Sequence, residues 1–173
     1  MTIALLQLSD IHFKKDDNSV LNKIEKIFDA IKNEVDTCKY LFIVFTGDIA
    51  FSGQKDEYRQ AEILINDLQT RIRNYNNNIK IEFIFTPGNH DCDFSQNEEV
   101  RNMIIDNIVQ DPSKITPALI STCVETQKEY LNFVATLVAD ENINRELSNN
   151  IFSRSLSDSP IQKRINGKID ITI

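Results

Sequence analysis

The apolar positions of this chain fall into two rhythms that alternate. Residues 3–8 form a short apolar run, 41–45 is a second (Leu41-Phe42-Ile43-Val44-Phe45), and 79–85 is a third, rich in β-branched and aromatic residues. Runs this short with such members predict strands, and five consecutive apolar residues predict a strand buried on both faces, as in a parallel sheet. Between them the period lengthens. Val20, Ile24, Ile27, Ile31 and Val35, flanked by Leu21 and Phe28, recur at helical spacing. Tyr58, Ala61, Leu64, Ile65, Leu68 and Ile72 do the same within a helix expected over 55–75. Asn18 or Ser19 is expected to cap the first helix. Asn76-Asn77-Asn78 is expected to turn the chain through left-handed backbone. The order is therefore β-α-β-α-β, which calls for right-handed crossovers and a parallel sheet.

The rhythm changes after Asp91. Ser95 and Glu98 fit a capping box, so a helix is expected from there, with Val100, Met103 and Ile104 on its apolar side. Pro112 and Pro117 bracket a break, and one longer helix is expected over 118–139. Residues 142–150 read as a polar loop. Residues 151–152 and 168–173 read as short strands, with Asn166-Gly167 as a turn between them. The organisation expected is a β-α-β-α-β half over 1–95, a helical insertion or cap over 96–150, and the start of a second half over 151–173.

Totals narrow the picture only a little. At 173 residues, 41% apolar and 26% charged, the chain is an ordinary globular domain by composition. A net charge of −7 and a pI near 4.9 argue against a passive nucleic-acid binder, which would carry a basic footprint. No apolar run approaches the length of a membrane span, and the first residues lack the pattern of a secretory leader. Cys38, Cys92 and Cys123 are odd in number and widely spaced, which fits neither a disulfide framework nor a zinc knuckle. A reducing cytoplasm is the expected location. Cys92 reads as incidental to the loop it occupies.

Each strand is followed by a polar loop: Ser9-Asp10-Ile11-His12, Thr46-Gly47-Asp48, and Thr86-Pro87-Gly88-Asn89-His90-Asp91. In a parallel sheet these loops share one rim, the edge where ligands bind in open α/β sheets. Asp10 and His12, two apart, are expected to share a face of extended backbone and to pair as metal ligands. Gly47 allows a sharp turn that points Asp48 outward, where a carboxylate can bridge two cations. Asn89 offers an uncharged oxygen. His90 diverges from it toward a substrate, and Asp91 is expected to hold the His90 ring. Turn chemistry alone would read Pro87-Gly88-Asn89 as a type II turn, but it leaves His90-Asp91 unexplained. Both histidines of the chain sit in these loops.

The set Asp10-x-His12, Gly47-Asp48 and Gly88-Asn89-His90-Asp91, in order after successive strands, closely resembles the calcineurin-like metallophosphoesterases. The resemblance implies half of an α/β/β/α sandwich, begun here by β-α-β-α-β and followed by the helical insertion. It implies two divalent metal ions, with Mn, Fe, Zn and Ni not distinguished. Asp10 and His12 would bind the first, Asp48 would bridge both, and Asn89 would bind the second. A metal-bridging hydroxide would attack a phosphomonoester or phosphodiester, with His90 as proton donor and Asp91 behind it. A nucleotide or nucleic acid is among the substrates so implied, and a membrane is not.

The sequence departs from that family in lacking its later histidines. The expectation is therefore an amino-terminal piece of a longer protein, weakly active or inactive alone. Its missing half is then the expected partner; read instead as a structural fragment, the chain would dimerise through its open sheet edge. The alternative is a binding or scaffold relative that has lost hydrolysis.

Overall fold

A computed structural model describes residues 2–16 and 18–137. Three strands, β1 (Ile3–Leu8), β2 (Tyr40–Thr46) and β3 (Lys80–Thr86), alternate with α1 (Ile24–Thr37) and α2 (Lys55–Tyr75). Then follow α3 (Glu98–Gln110), α4 (Pro117–Val124) and α5 (Lys128–Leu137). The sheet order is β1-β2-β3 and both pairings are parallel. This is the mixed α/β architecture that the alternating rhythms predict. The described fold forms one unit through Val134.

Register decides where the loops emerge. Leu8 lies opposite Phe45, and Phe45 opposite Phe85, so all three strands end level. Two right-handed crossovers running the same way along a sheet lay both helices on one face. Accordingly α1 and α2 pack on each other, with Phe28 and Tyr75 edge to face at 5.7 Å. The Asn76 side chain donates to the Val35 carbonyl at 2.8 Å. Against them, Leu41, Ile43 and Phe45 of β2 are fully buried. The α2 stripe of Tyr58, Ala61, Leu64, Ile65, Leu68 and Ile72 is at most 2% exposed. The other face of β1 keeps Ile3 and Leu5 exposed.

Several local expectations are corrected. Asn18 does not cap α1, because its side chain closes a loop onto the Lys14 backbone at 2.7 and 2.8 Å. A 3-10 turn over Leu21–Lys23 leads into the helix instead, its N–H groups satisfied by main-chain carbonyls. Asn76 has φ −138°, so the turn after α2 is not left-handed; the Asn78 N–H bonds the Asn76 side chain at 3.0 Å. Ser95 does not cap α3, because Asp93 takes both its N–H and its hydroxyl. The helix starts from Asn97, itself left-handed at φ 50°.

The expected single helix over 118–139 is two. A 3-10 turn at Glu125–Gln127 separates α4 from α5. The break is used: the Thr126 carbonyl, in that 3-10 turn, accepts the Asp93 N–H at 2.7 Å. Beyond it α5 seats Phe133 against Tyr58 and Phe85 at 5.0 and 5.6 Å. Among the described residues no helix is long and apolar enough to cross a membrane. The end of the expected helix at 138–139, the loop at 142–150 and the short strands at 151–152 and 168–173 lie outside the described residues.

Candidate metal centre

The first two loops zip together before they present anything. The Asp10, His12 and Phe13 N–H groups donate to the carbonyls of Gly47, Asp48 and Ile49 at 3.2, 3.0 and 2.8 Å. Phe51 N–H returns to the Phe13 carbonyl at 2.9 Å, and the Phe13 ring is fully buried as the peg of this pairing. The backbone on which the ligands stand is not extended. Among the described residues four non-glycine positions have positive φ, and three of them are Asp10, His12 and Asp48, at 53–54°. Such backbone costs on the order of 1–3 kcal/mol per residue and gathers where a site over-determines it. The expectation that Asp10 and His12 meet through strand alternation is therefore corrected: they meet on a loop in which both residues are left-handed rather than extended.

The outcome is a compact donor set. One ligand atom from each of Asp10, His12 and Asp48 lies within 4.8 Å of the other two. The Ser9 hydroxyl donates to Asp10 Oδ2. His12 Nδ1 is shielded from water and has no hydrogen-bond partner among the described residues. Two carboxylates and an imidazole suit a divalent first-row cation, and a three-ligand set leaves coordination positions open for other groups.

The third loop is docked onto Asp48. His90 N–H donates to Asp48 Oδ1 at 2.9 Å. Gly88 makes the approach possible, since a Cβ there would overlap the Asp48 carboxylate and lie 2.5 Å from its backbone nitrogen. At φ −103° Gly88 is not the left-handed residue of a type II turn, so close packing is the reason for a glycine here. Asn89 stands in the 3-10 turn Asn89–Asp91, beside the residue that bonds Asp48, with its side chain exposed.

His90 Nδ1 lies 2.7 Å from the Phe51 carbonyl. A carbonyl only accepts, so Nδ1 carries the hydrogen and Nε2 is the free nitrogen of the neutral ring. The ring crosses His12 edge to face at 4.6 Å, with Phe51 alongside at 5.8 Å.

Asp91 was expected behind His90, and it is elsewhere. It is fully buried, and its carboxylate accepts from Ile49 N–H (3.3 Å), Ala50 N–H (2.9 Å), Gly88 N–H (2.9 Å) and the Tyr58 hydroxyl (3.1 Å). The Phe51 main chain orients His90 instead. Burial first, then the Asp91 charge and hydrogen bond, drive the Tyr58 hydroxyl far above the usual tyrosine range, so it remains a donor. Burial and the same charge push Tyr130 upward as well. Glu57 steadies the segment after Asp48 by accepting from Ser52 N–H, Ser52 hydroxyl and Gln54 N–H at 2.8–3.1 Å. Sequence reasoning read Tyr58 as core and gave Glu57 no role, since nothing in helical spacing tells a packing tyrosine from one whose hydroxyl meets a buried carboxylate.

The sequence profile of the calcineurin-like phosphoesterases matches residues 3–159. The chain belongs to that family. The chain is also 26% identical over 140 residues to the "Uncharacterized metallophosphoesterase-like protein YydB" of Bacillus subtilis (strain 168). That match covers 77% of this chain and 27% of that protein, so the chain spans about a quarter of its relative's length. The family whose profile the chain matches is one of phosphoesterases.

Proposed function

We propose that this chain carries the first half of a phosphoester-hydrolysing centre that acts on phosphomonoesters or phosphodiesters. The observation that carries the reading is the convergence of Asp10, His12 and Asp48 within 4.8 Å at the rim of a parallel sheet. Asp10, His12 and Asp48 would hold one divalent cation, and Asp48 with Asn89 would hold a second. Cations in such a site neutralise phosphate charge and lower the pKa of water toward neutrality. Asp48 divides its carboxylate between the His90 N–H and the cation side, which keeps the third loop in step with the first two. His90, its Nδ1 fixed by Phe51, keeps Nε2 for the substrate and in its protonated form hands a proton to the departing oxygen.

Only two histidines exist in the 173 residues, and both are in these loops. We therefore expect remaining ligands to come from residues outside this sequence, and low turnover from these 173 residues alone. The same scarcity favours a second reading, a non-catalytic relative that keeps the cation site for binding or scaffolding.

Hydrolysis of a chromogenic phosphodiester in Mn2+, by this chain and by the complete product of its reading frame, separates the two. Turnover by the complete product supports hydrolysis. Mn2+ binding with no turnover by either protein supports the scaffold reading. In an active protein His90→Ala should cut the rate by about 10²–10⁴-fold while leaving Mn2+ bound, as loss of a general acid does. Asp48→Asn should instead abolish Mn2+ binding with the fold intact, because an amide oxygen still accepts the His90 N–H. A His90→Ala protein stripped of metal would contradict the role given to His90.

A further inference from the structure

Resting on the cation site just proposed, we infer that Tyr58 is a positioning residue for it, acting through the buried Asp91 carboxylate. Four donors converge on that carboxylate, and their origins matter. Ile49 and Ala50 N–H come from the residues directly after Asp48. Gly88 N–H stands one residue before Asn89. The Tyr58 hydroxyl alone comes from outside the rim loops, at 3.1 Å from Oδ1, and it also reaches the Asp91 main-chain carbonyl at 3.3 Å.

Asp91 therefore joins the second loop to the third, and Tyr58 joins that pair to α2. The phenol cannot drift: its ring is 2% exposed and stacks on Phe133 at 5.0 Å. Without its hydroxyl, Asp91 Oδ1 keeps among the described residues only Ala50, and the tie from Asp91 to α2 is lost, leaving the bonds of Glu57 to Ser52 and Gln54 as the link between that helix and the second loop. Cation ligands held by such outer contacts lose affinity when the contact is cut, because their geometry slackens.

Tyr130 supplies a matched control. Its ring lies 6.3 Å from that of Tyr58, it is fully buried, and its hydroxyl has no hydrogen-bond partner among the described residues. Tyr130→Phe thus removes one buried oxygen from the same region and breaks no hydrogen bond to any described residue.

The experiment is Mn2+ titration calorimetry on the unsubstituted chain, Tyr58→Phe and Tyr130→Phe, with circular dichroism to check folding. Tyr58→Phe should weaken Mn2+ binding by about 10–100-fold, the usual effect of losing an outer-shell partner. Tyr130→Phe should leave it unchanged. Coupling is reciprocal, so Mn2+ should also slow amide exchange at Ala50 and Gly88 in the unsubstituted chain, a measurement that needs no variant to fold. Mn2+ affinity unaltered in Tyr58→Phe, or Mn2+ bound with no change in those amides, overturns the inference and leaves the cation site standing. Absence of Mn2+ binding by the unsubstituted chain overturns the cation site, and this inference with it.

Discussion

A single added carbon at Gly88 would decide whether the third loop reaches the second. The Asp48 carboxylate and backbone nitrogen occupy the space a Cβ needs, and neither can retreat: the Asp48 carbonyl is held by His12 N–H, and Oδ1 by His90 N–H. Gly88→Ala should therefore push the loops apart, at a cost of about 1–3 kcal/mol, typical of forced overpacking. Mn2+ affinity should fall in the same protein. Chemical denaturation and calorimetry check the two effects, and an alanine variant as stable and as tightly binding as the parent would refute the packing argument. Asp91 teaches a related lesson. Its place next to His90 in the chain suggested a partnership, yet adjacent side chains diverge, and the carboxylate turned inward to collect backbone donors.

The elements were legible wherever one period of hydrophobicity ruled. β1 and α2 run over the residues expected, and β2 and β3 differ from expectation by one residue at their ends. The reason is that burial on one helix stripe, or on both strand faces, leaves a periodic trace. Leu68, on the α2 stripe and 1% exposed, should cost about 2–5 kcal/mol on truncation to alanine, read as a lowered denaturation midpoint. A loss under 1 kcal/mol would refute tight packing of the stripe. Helix ends were the weak point. Ser95 fits a cap pattern with Glu98, but Asp93 competes for the same hydroxyl and N–H and wins by proximity. The α4–α5 break likewise depends on Asp93, a residue far away in sequence, needing the Thr126 carbonyl. Local propensity does not register either competition.

The domain as a whole ties its site to buried phenols, and this makes stability depend on alkaline pH. Tyr58 and Tyr130 are held neutral in the folded chain, by burial first and by the Asp91 charge second. Their folded-state pKa values lie above the unfolded value of 10.0, so this stability is fully present below pH 10.0. It is lost as pH rises from there toward the folded values, at about 1.4 kcal/mol per pH unit for each phenol. Unfolding should thus set in above that pH, with tyrosinate absorbance and loss of ellipticity rising together. Tyr58→Phe should flatten the dependence. Tyrosinate forming well before any loss of structure would show the phenols to be accessible.

From the order of residues alone one could read the alternating strands and helices, the parallel sheet they require, and three polar loops delivered to one rim. These follow from short-range rules, because periodicity and chain crossover leave few arrangements open. The calcineurin-like family could be read there too, since its motifs sit in consecutive residues. How the donors meet was decided only by folding. Left-handed backbone at Asp10, His12 and Asp48, the Phe51 carbonyl on His90, and Asp91 turned toward Tyr58 all arise from contacts between segments tens of residues apart. Such contacts exist only once the core has set the loops side by side, and no periodicity in the chain encodes them.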